Sequence, residues 1–172
     1  ILSLLLYLIF FIPKFEYIKY RVESFFNPVL GTHNFQSDKA SEAIINGGFF
    51  GKGIGEGVLK NRVPEAHTDY IVAVISEEFG AIIIIVLMMI FLFFIYQVFK
   101  KLYFEKSNKV RLILVGSITL ILLQALIHIG VNIRLFPTTG MTLPFLSYGG
   151  SSIVGTAILC GIILNLTKRK IN

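Results

Sequence analysis

The run FGAIIIIVLMMIFLFFIYQVF, Phe79 to Phe99, holds no charged residue. About 20 apolar residues in helical form cross the roughly 30 Å hydrocarbon core of a bilayer. The run therefore reads as a membrane span, placed at 70–99. Two further uncharged runs follow, Leu112 to Ile133 and Leu135 to Thr167. The first reads as a span over 112–133. The second is interrupted by Pro137, Gly140, Pro144, Gly149 and Gly150. It divides into an outer or re-entrant loop over 134–150 and a last span over 150–167. Upstream, ILSLLLYLIFFI stops at Pro13 and is short for a span, so residues 1–12 read as the end of one. Residues 13–69 then form a large outer loop, helical in places such as Tyr17 to Phe26. The expected fold class is all-α, a polytopic helical membrane protein with residues 1–172 as a single membrane domain. The chain is expected to be the C-terminal part of a longer protein. With 55% hydrophobic residues and a mean hydropathy of +0.76, it is too apolar for an ordinary soluble domain.

Charge orients these spans. The formal net charge is +6, which in a soluble protein would suggest a nucleic-acid partner. Here the cations cluster beside spans. KKLYFEKSNKVR, Lys100 to Arg111, carries five Lys/Arg against one Glu, and Lys168 to Lys170 reads KRK. Short basic segments next to spans stay in the cytoplasm. Residues 100–111 are thus a cytoplasmic loop and 168–172 a cytoplasmic tail, with no nucleic-acid partner expected. Alternation then places Asp69 and the Pro/Gly-rich loop together on the outer side. The lone Cys160 lies in the last span and reads as a small buried hydrophobe.

Three stretches carry the candidate chemistry. In NGGFFGKGIGEG, Gly47, Gly48, Gly51, Gly53 and Gly55 lack the spacing of a phosphate-binding loop or a dinucleotide fingerprint. Glycines still let a backbone approach a ligand, and exposed N–H groups can cradle an anion. Lys52, Lys60 and Arg62 nearby suit a phosphate; a flexible hinge with solvated charges is the other reading. In VPEAHTDYIVAVISEEFG, Pro64 suits the first turn of a helix. Glu65 and Asp69, four apart, would share a helix face, and two close carboxylates raise the pKa of one of them toward that of a general base. On an extended chain Glu65, His67 and Asp69 would share a face instead, but the pattern matches no known zinc motif and no metal site is assigned. Glu77 and Glu78 find no cation within their own helix and need one from elsewhere, such as Lys52 or Arg134. His128 reads as an interior histidine. In PTTGMTLPFLSYGGSS, Pro137 to Ser152, the prolines and glycines forbid an unbroken helix. Non-helical backbone at membrane depth must be buried or line a watery cavity.

Taken together and in order, these three stretches resemble the C-terminal half of the SEDS family, the shape, elongation, division and sporulation proteins, and its division branch more than its elongation branch. The resemblance implies about ten spans in the whole protein, in the bacterial cytoplasmic membrane at the division site. It implies a peptidoglycan glycosyltransferase that polymerises lipid II, with a class B penicillin-binding protein and other division-complex proteins as partners. Asp69 matches the proposed catalytic acid. Candidate substrate contacts are Lys52, Arg62, Glu65, His67, Arg134, Thr138 and Ser147. A divalent cation such as Mg²⁺ can help neutralise the leaving pyrophosphate, although the sequence names no ligand set for it. Two departures stand out: Thr139 replaces a lysine common in division members, and Val63 precedes the PE pair. This stretch alone is expected to be inactive. A lipid II flippase and a non-catalytic division-complex scaffold are the alternative readings.

Overall fold

The computed structural model describes residues 16–26, 32–63 and 65–168. Among these the regular structure is entirely helical: α1 (Glu16–Phe26), α2 (Thr32–Gly47), α3 (Leu59–Arg62), α4 (Ile71–Phe79), α5 (Ala81–Phe104), α6 (Asn108–Asn132) and α7 (Gly150–Thr167). Three of them, α5, α6 and α7, are long and apolar enough to cross a membrane, with mean hydropathies of 3.0, 2.4 and 1.7. The end of a span read at 1–12 lies outside the described residues.

The span expected at 70–99 is two helices. Gly80 ends α4 with φ 79° and ψ 179°, and α5 starts afresh beyond it. The first N–H groups of any helix lack intrahelical partners. Here the loop after α2 supplies them: Ala81 N donates to Gly48 O at 2.9 Å and Ile82 N to Phe49 O at 3.4 Å. The basic loop is also shorter than 100–111. Helix α5 runs on through Phe104 and α6 begins at Asn108, leaving a turn at 105–107. The long cationic side chains at both helix ends can reach water from there. The segment read at 13–69 as a large loop, helical in places such as Tyr17 to Phe26, holds helices α1, α2 and α3 among its described residues.

Among the described residues three buried apolar clusters hold the chain, the smallest formed by Val72, Ala125 and Leu143. At one end of the bundle, small residues let α2 lie close on α4. Ala40 and Ala43 of α2 pack with Ala66, Tyr70, Ala73 and Val74, and Val131 of α6 closes the cluster. A Cβ added at Gly47 would fall 2.1 Å from Ser76 O, so the two backbones nearly touch there. The second core joins the spans through Val98 of α5, Leu114, Ile118 and Ile121 of α6, and Ile163 of α7. The three α6 residues recur at four and three positions, one face of a helix. The most hydrophobic stretch of α5 is only 6% buried among the described residues.

Candidate active site

Residues 65–70 form a tight turn rather than an extended strand. Asp69 N donates to Glu65 O at 3.0 Å and Thr68 N to the same carbonyl at 3.2 Å. That bond pattern brings Glu65 and Asp69 to one side, and the extended alternative for Glu65, His67 and Asp69 is not adopted. Pro64 lies outside the described residues.

Asn132, fully buried at the end of α6, holds this turn. Its Oδ1 accepts from Ala73 N at 3.1 Å. Its Nδ2 donates to Asp69 O at 2.9 Å and to His128 O at 2.9 Å. Helix α4 lacks a side-chain cap from its own N-cap residue, Tyr70. Asn132 supplies one from another helix and ties down the Asp69 backbone in the same contact. Truncating Asn132 to Ala would leave Ala73 N–H and Asp69 C=O without these partners. At about 1–3 kcal/mol for each buried unsatisfied group, a loss of roughly 3 kcal/mol is expected, read as a lower melting temperature of the full-length protein in detergent.

Asn132 is the top rung of a stripe. Gln124, His128 and Asn132 stand four residues apart on α6 and share a face. His128 Nδ1 bonds Met141 O at 2.7 Å. Gln124 Nε2 donates to Thr142 O at 2.9 Å and to Ser152 Oγ at 3.0 Å. The stripe thereby fastens the Pro/Gly-rich loop to α6, and the loop in turn fastens the acidic turn. Ser147 Oγ donates to Thr68 O at 2.7 Å, and Tyr148 N donates to His67 O at 3.1 Å.

The Asp69 carboxylate is half-buried beside Gly140. With φ 67° at Gly140, a Cβ there would be strained and would sit 3.6 Å from Asp69 Oδ2. Glycine keeps that approach clear. Burial pushes the Asp69 carboxyl above its ordinary range, the negative charge of Glu65 pushes it further, and the Arg21 guanidinium pulls it back. Arg21, on α1, also donates from Nη1 to Thr138 O at 2.7 Å.

Several expected contacts have other roles. Ser147 is 3% exposed, and its hydroxyl both donates to Thr68 O and accepts from Leu143 N at 2.8 Å. It positions the turn and is not placed to meet a substrate. Lys52 donates to Glu77 Oε1 at 3.0 Å, which answers the search for a Glu77 partner. The other Glu77 oxygen accepts from Val58 N and Leu59 N at the start of α3. Lys52 and Arg62 line a hollow of about 190 Å³ with Lys39, Asn46 and Glu77, and Asp69 is not among its walls. The anion cradle read into the glycines is also occupied. Gly51 N, Lys52 N and Gly53 N donate to Gly47 O, Glu77 O and Glu78 O. Those glycines allow backbone to meet backbone, not ligand. Arg134 pairs with Asp38 of α2 at 2.6 Å, both half-exposed. His67 stands exposed on the turn and Thr138 is partly buried in the facing loop.

Arg21, Gln124 and Asn132 were not among the expected site residues. Gln124 and Asn132 had a signal, since polar residues in a span usually face the protein interior and find a partner. Among the described residues no three His, Cys, Asp or Glu side chains converge as a metal site.

These features define a polytopic helical membrane protein with a half-buried carboxylate fixed between the segment before α4 and the Pro/Gly-rich loop. The chain belongs to the FtsW/RodA/SpoVE family of cell cycle proteins, whose profile matches residues 1–172. It is 40% identical over 157 residues to the probable peptidoglycan glycosyltransferase FtsW of Caulobacter vibrioides, an alignment covering 91% of this chain and 40% of that one. It is 37% identical over 160 residues to the protein of the same name from Enterococcus hirae, again covering 91% and 40%. The chain thus spans about two-fifths of the length of these curated relatives. A solved chain, from a peptidoglycan synthase complex that coordinates polymerization and crosslinking, superposes with a TM-score of 0.69 at 24% identity. That superposition covers 99% of this chain and 49% of the other, and it agrees with the all-helical fold.

Proposed function

We propose that the full-length protein is a peptidoglycan glycosyltransferase that polymerises lipid II into glycan strands in the bacterial cytoplasmic membrane during division. A class B penicillin-binding protein and other division-complex proteins are its partners, and Asp69 faces outward. The observation that carries this reading is the Asp69 carboxylate, held by its own backbone, half-buried beside Gly140 and raised in pKa. The positive-inside rule supports the orientation, since the basic turn between α5 and α6 lies at the opposite end of the spans from Asp69.

In this mechanism Asp69 takes the proton of the acceptor sugar's 4-hydroxyl. The oxygen attacks the donor's anomeric carbon from the face opposite the leaving group. The new C–O bond forms as the bond to the undecaprenyl pyrophosphate breaks, with inversion. A general base is matched to its task when its pKa lies near the working pH, and burial beside Glu65 moves Asp69 in that direction.

The test is the pH profile of strand synthesis by the purified full-length protein with its partner. Only the ionised Asp69 accepts a proton, so activity falls as pH drops through its pKa. The acid limb is expected above the ordinary aspartate value of 3.8. Glu65→Gln removes a negative neighbour and moves the limb to lower pH. Arg21→Gln removes a positive one and moves it to higher pH. A limb that neither substitution moves would remove Asp69 from the role of base.

A further inference from the structure

The far end of the bundle holds a second hollow, of about 170 Å³, where the three spans meet. Lys101 comes from the last turn of α5 and Lys168 directly follows α7, and both are exposed. Its floor is Leu114 of α6, 1% exposed, with Leu166 of α7 and the exposed Phe104 as apolar walls. Glu105 also lines it, but one of its carboxylate oxygens accepts from Ser107 N at 3.0 Å and anchors it on the turn. The Thr167 hydroxyl donates to Ile163 O at 2.7 Å. Among the described residues, no ion pair engages Lys101 or Lys168.

We propose that this hollow binds the phosphate of an anionic phospholipid, clasped by the Lys101 and Lys168 ammonium groups. The shared chemistry is a phosphate anion. Three observations favour the lipid source over free phosphate. The hollow sits at the ends of three span-length helices, the depth of lipid headgroups. Phe104, Leu114 and Leu166 give it one apolar side, as glycerol and acyl carbons require. The most hydrophobic stretches of α5 and α7 are 6% and 11% buried among the described residues, so apolar helix surface leads away from the hollow. Basic pockets between spans on the cytoplasmic side are a recurrent setting for anionic headgroups. A zwitterionic lipid fits less well, because its own ammonium group is repelled by the same lysines.

The test uses the full-length protein in phosphatidylcholine vesicles doped with spin-labelled phosphatidylglycerol, reading the label immobilised at the protein. Lys101→Gln combined with Lys168→Gln is expected to weaken retention by about tenfold, since each lysine near an anionic surface contributes severalfold. Lys106→Gln with Lys109→Gln removes the same charge outside the hollow and is expected to change retention by less than about twofold. Lys101→Arg with Lys168→Arg keeps the charge and is expected to retain the lipid. Equal loss in both glutamine pairs would reduce the effect to the diffuse field of the basic turn and overturn the proposal. So would release of the label by millimolar inorganic phosphate but not by chloride of equal ionic strength, which would make the hollow a free-anion site. Equal retention of spin-labelled phosphatidylcholine would overturn it as well.

Discussion

On the proposed mechanism, Asp69→Asn in the full-length protein is expected to lower glycan synthesis from lipid II by about 10²–10⁴-fold, the usual contribution of a positioned general base. The substitution keeps the shape of the side chain and removes its ability to accept the proton. The contacts that set the turn are made by the Asp69 backbone: its carbonyl accepts from Asn132 and its N–H donates to Glu65 O. Neither depends on the carboxylate, so the melting temperature is expected to stay at or above that of the parent. A raised carboxyl pKa means that folding opposes the charge. The neutral amide relieves that opposition, which in the parent sets in as pH rises above the ordinary aspartate value and is complete above the raised folded pKa. Strand synthesis with the class B partner, measured beside lipid II translocation, separates the readings. A polymerase loses synthesis and a flippase loses translocation. A scaffold loses neither and continues to recruit its partners.

Gly80→Ala is expected to cost about 4 kcal/mol, in the range set by gross steric conflict. Two separate effects add. The residue sits at φ 79°, where a Cβ is disfavoured, and that Cβ would lie 2.2 Å from Phe49 O and 2.5 Å from Gly51 N. Both are backbone atoms, so no rotamer change relieves the clash. The partner loop cannot withdraw without releasing the bonds that start α5, from Ala81 N to Gly48 O and from Ile82 N to Phe49 O. Gly48→Ala is the internal control. It shares the left-handed φ, at 56°, but nothing lies within 4 Å of its added Cβ. It carries only the conformational penalty, about 1 kcal/mol. Thermal unfolding of both variants in one detergent measures the difference, and equal losses would show that the close backbone approach contributes nothing to stability.

The spans were legible because charge-free runs such as Phe79 to Phe99 leave few alternatives. So was the meeting of the acidic turn with the Pro/Gly-rich loop, since the basic segments fix the topology. The helix break was less legible. One glycine in an apolar run is compatible with a continuous helix, and only the arrival of the 48–49 carbonyls makes Gly80 a terminus. The glycine-rich stretch was legible as a structural motif but left two readings open. Permissive backbone indicates that something comes close, but it does not say whether that neighbour is ligand or protein. Ser147 followed the same logic: its hydroxyl suits a substrate as well as a carbonyl, and its burial decides. Arg21 was out of reach, because the contact between α1 and Thr138 joins residues 117 positions apart. Gln124, His128 and Asn132 were within reach, since their four-residue spacing is visible in the chain.

That spacing also sets a vertical scale. Eight residues of α-helix rise about 12 Å, so the contacts to Thr142, Met141 and the Asp69 carbonyl are graduations on one rigid rod. The height of the carboxylate above the bilayer's middle is therefore dictated by helical pitch and not by the length of the segment that carries it. One extra residue between Gln124 and Asn132 would swing Asn132 by about 100° and break its bond to the Asp69 carbonyl, leaving the turn held through Ser147 and Tyr148.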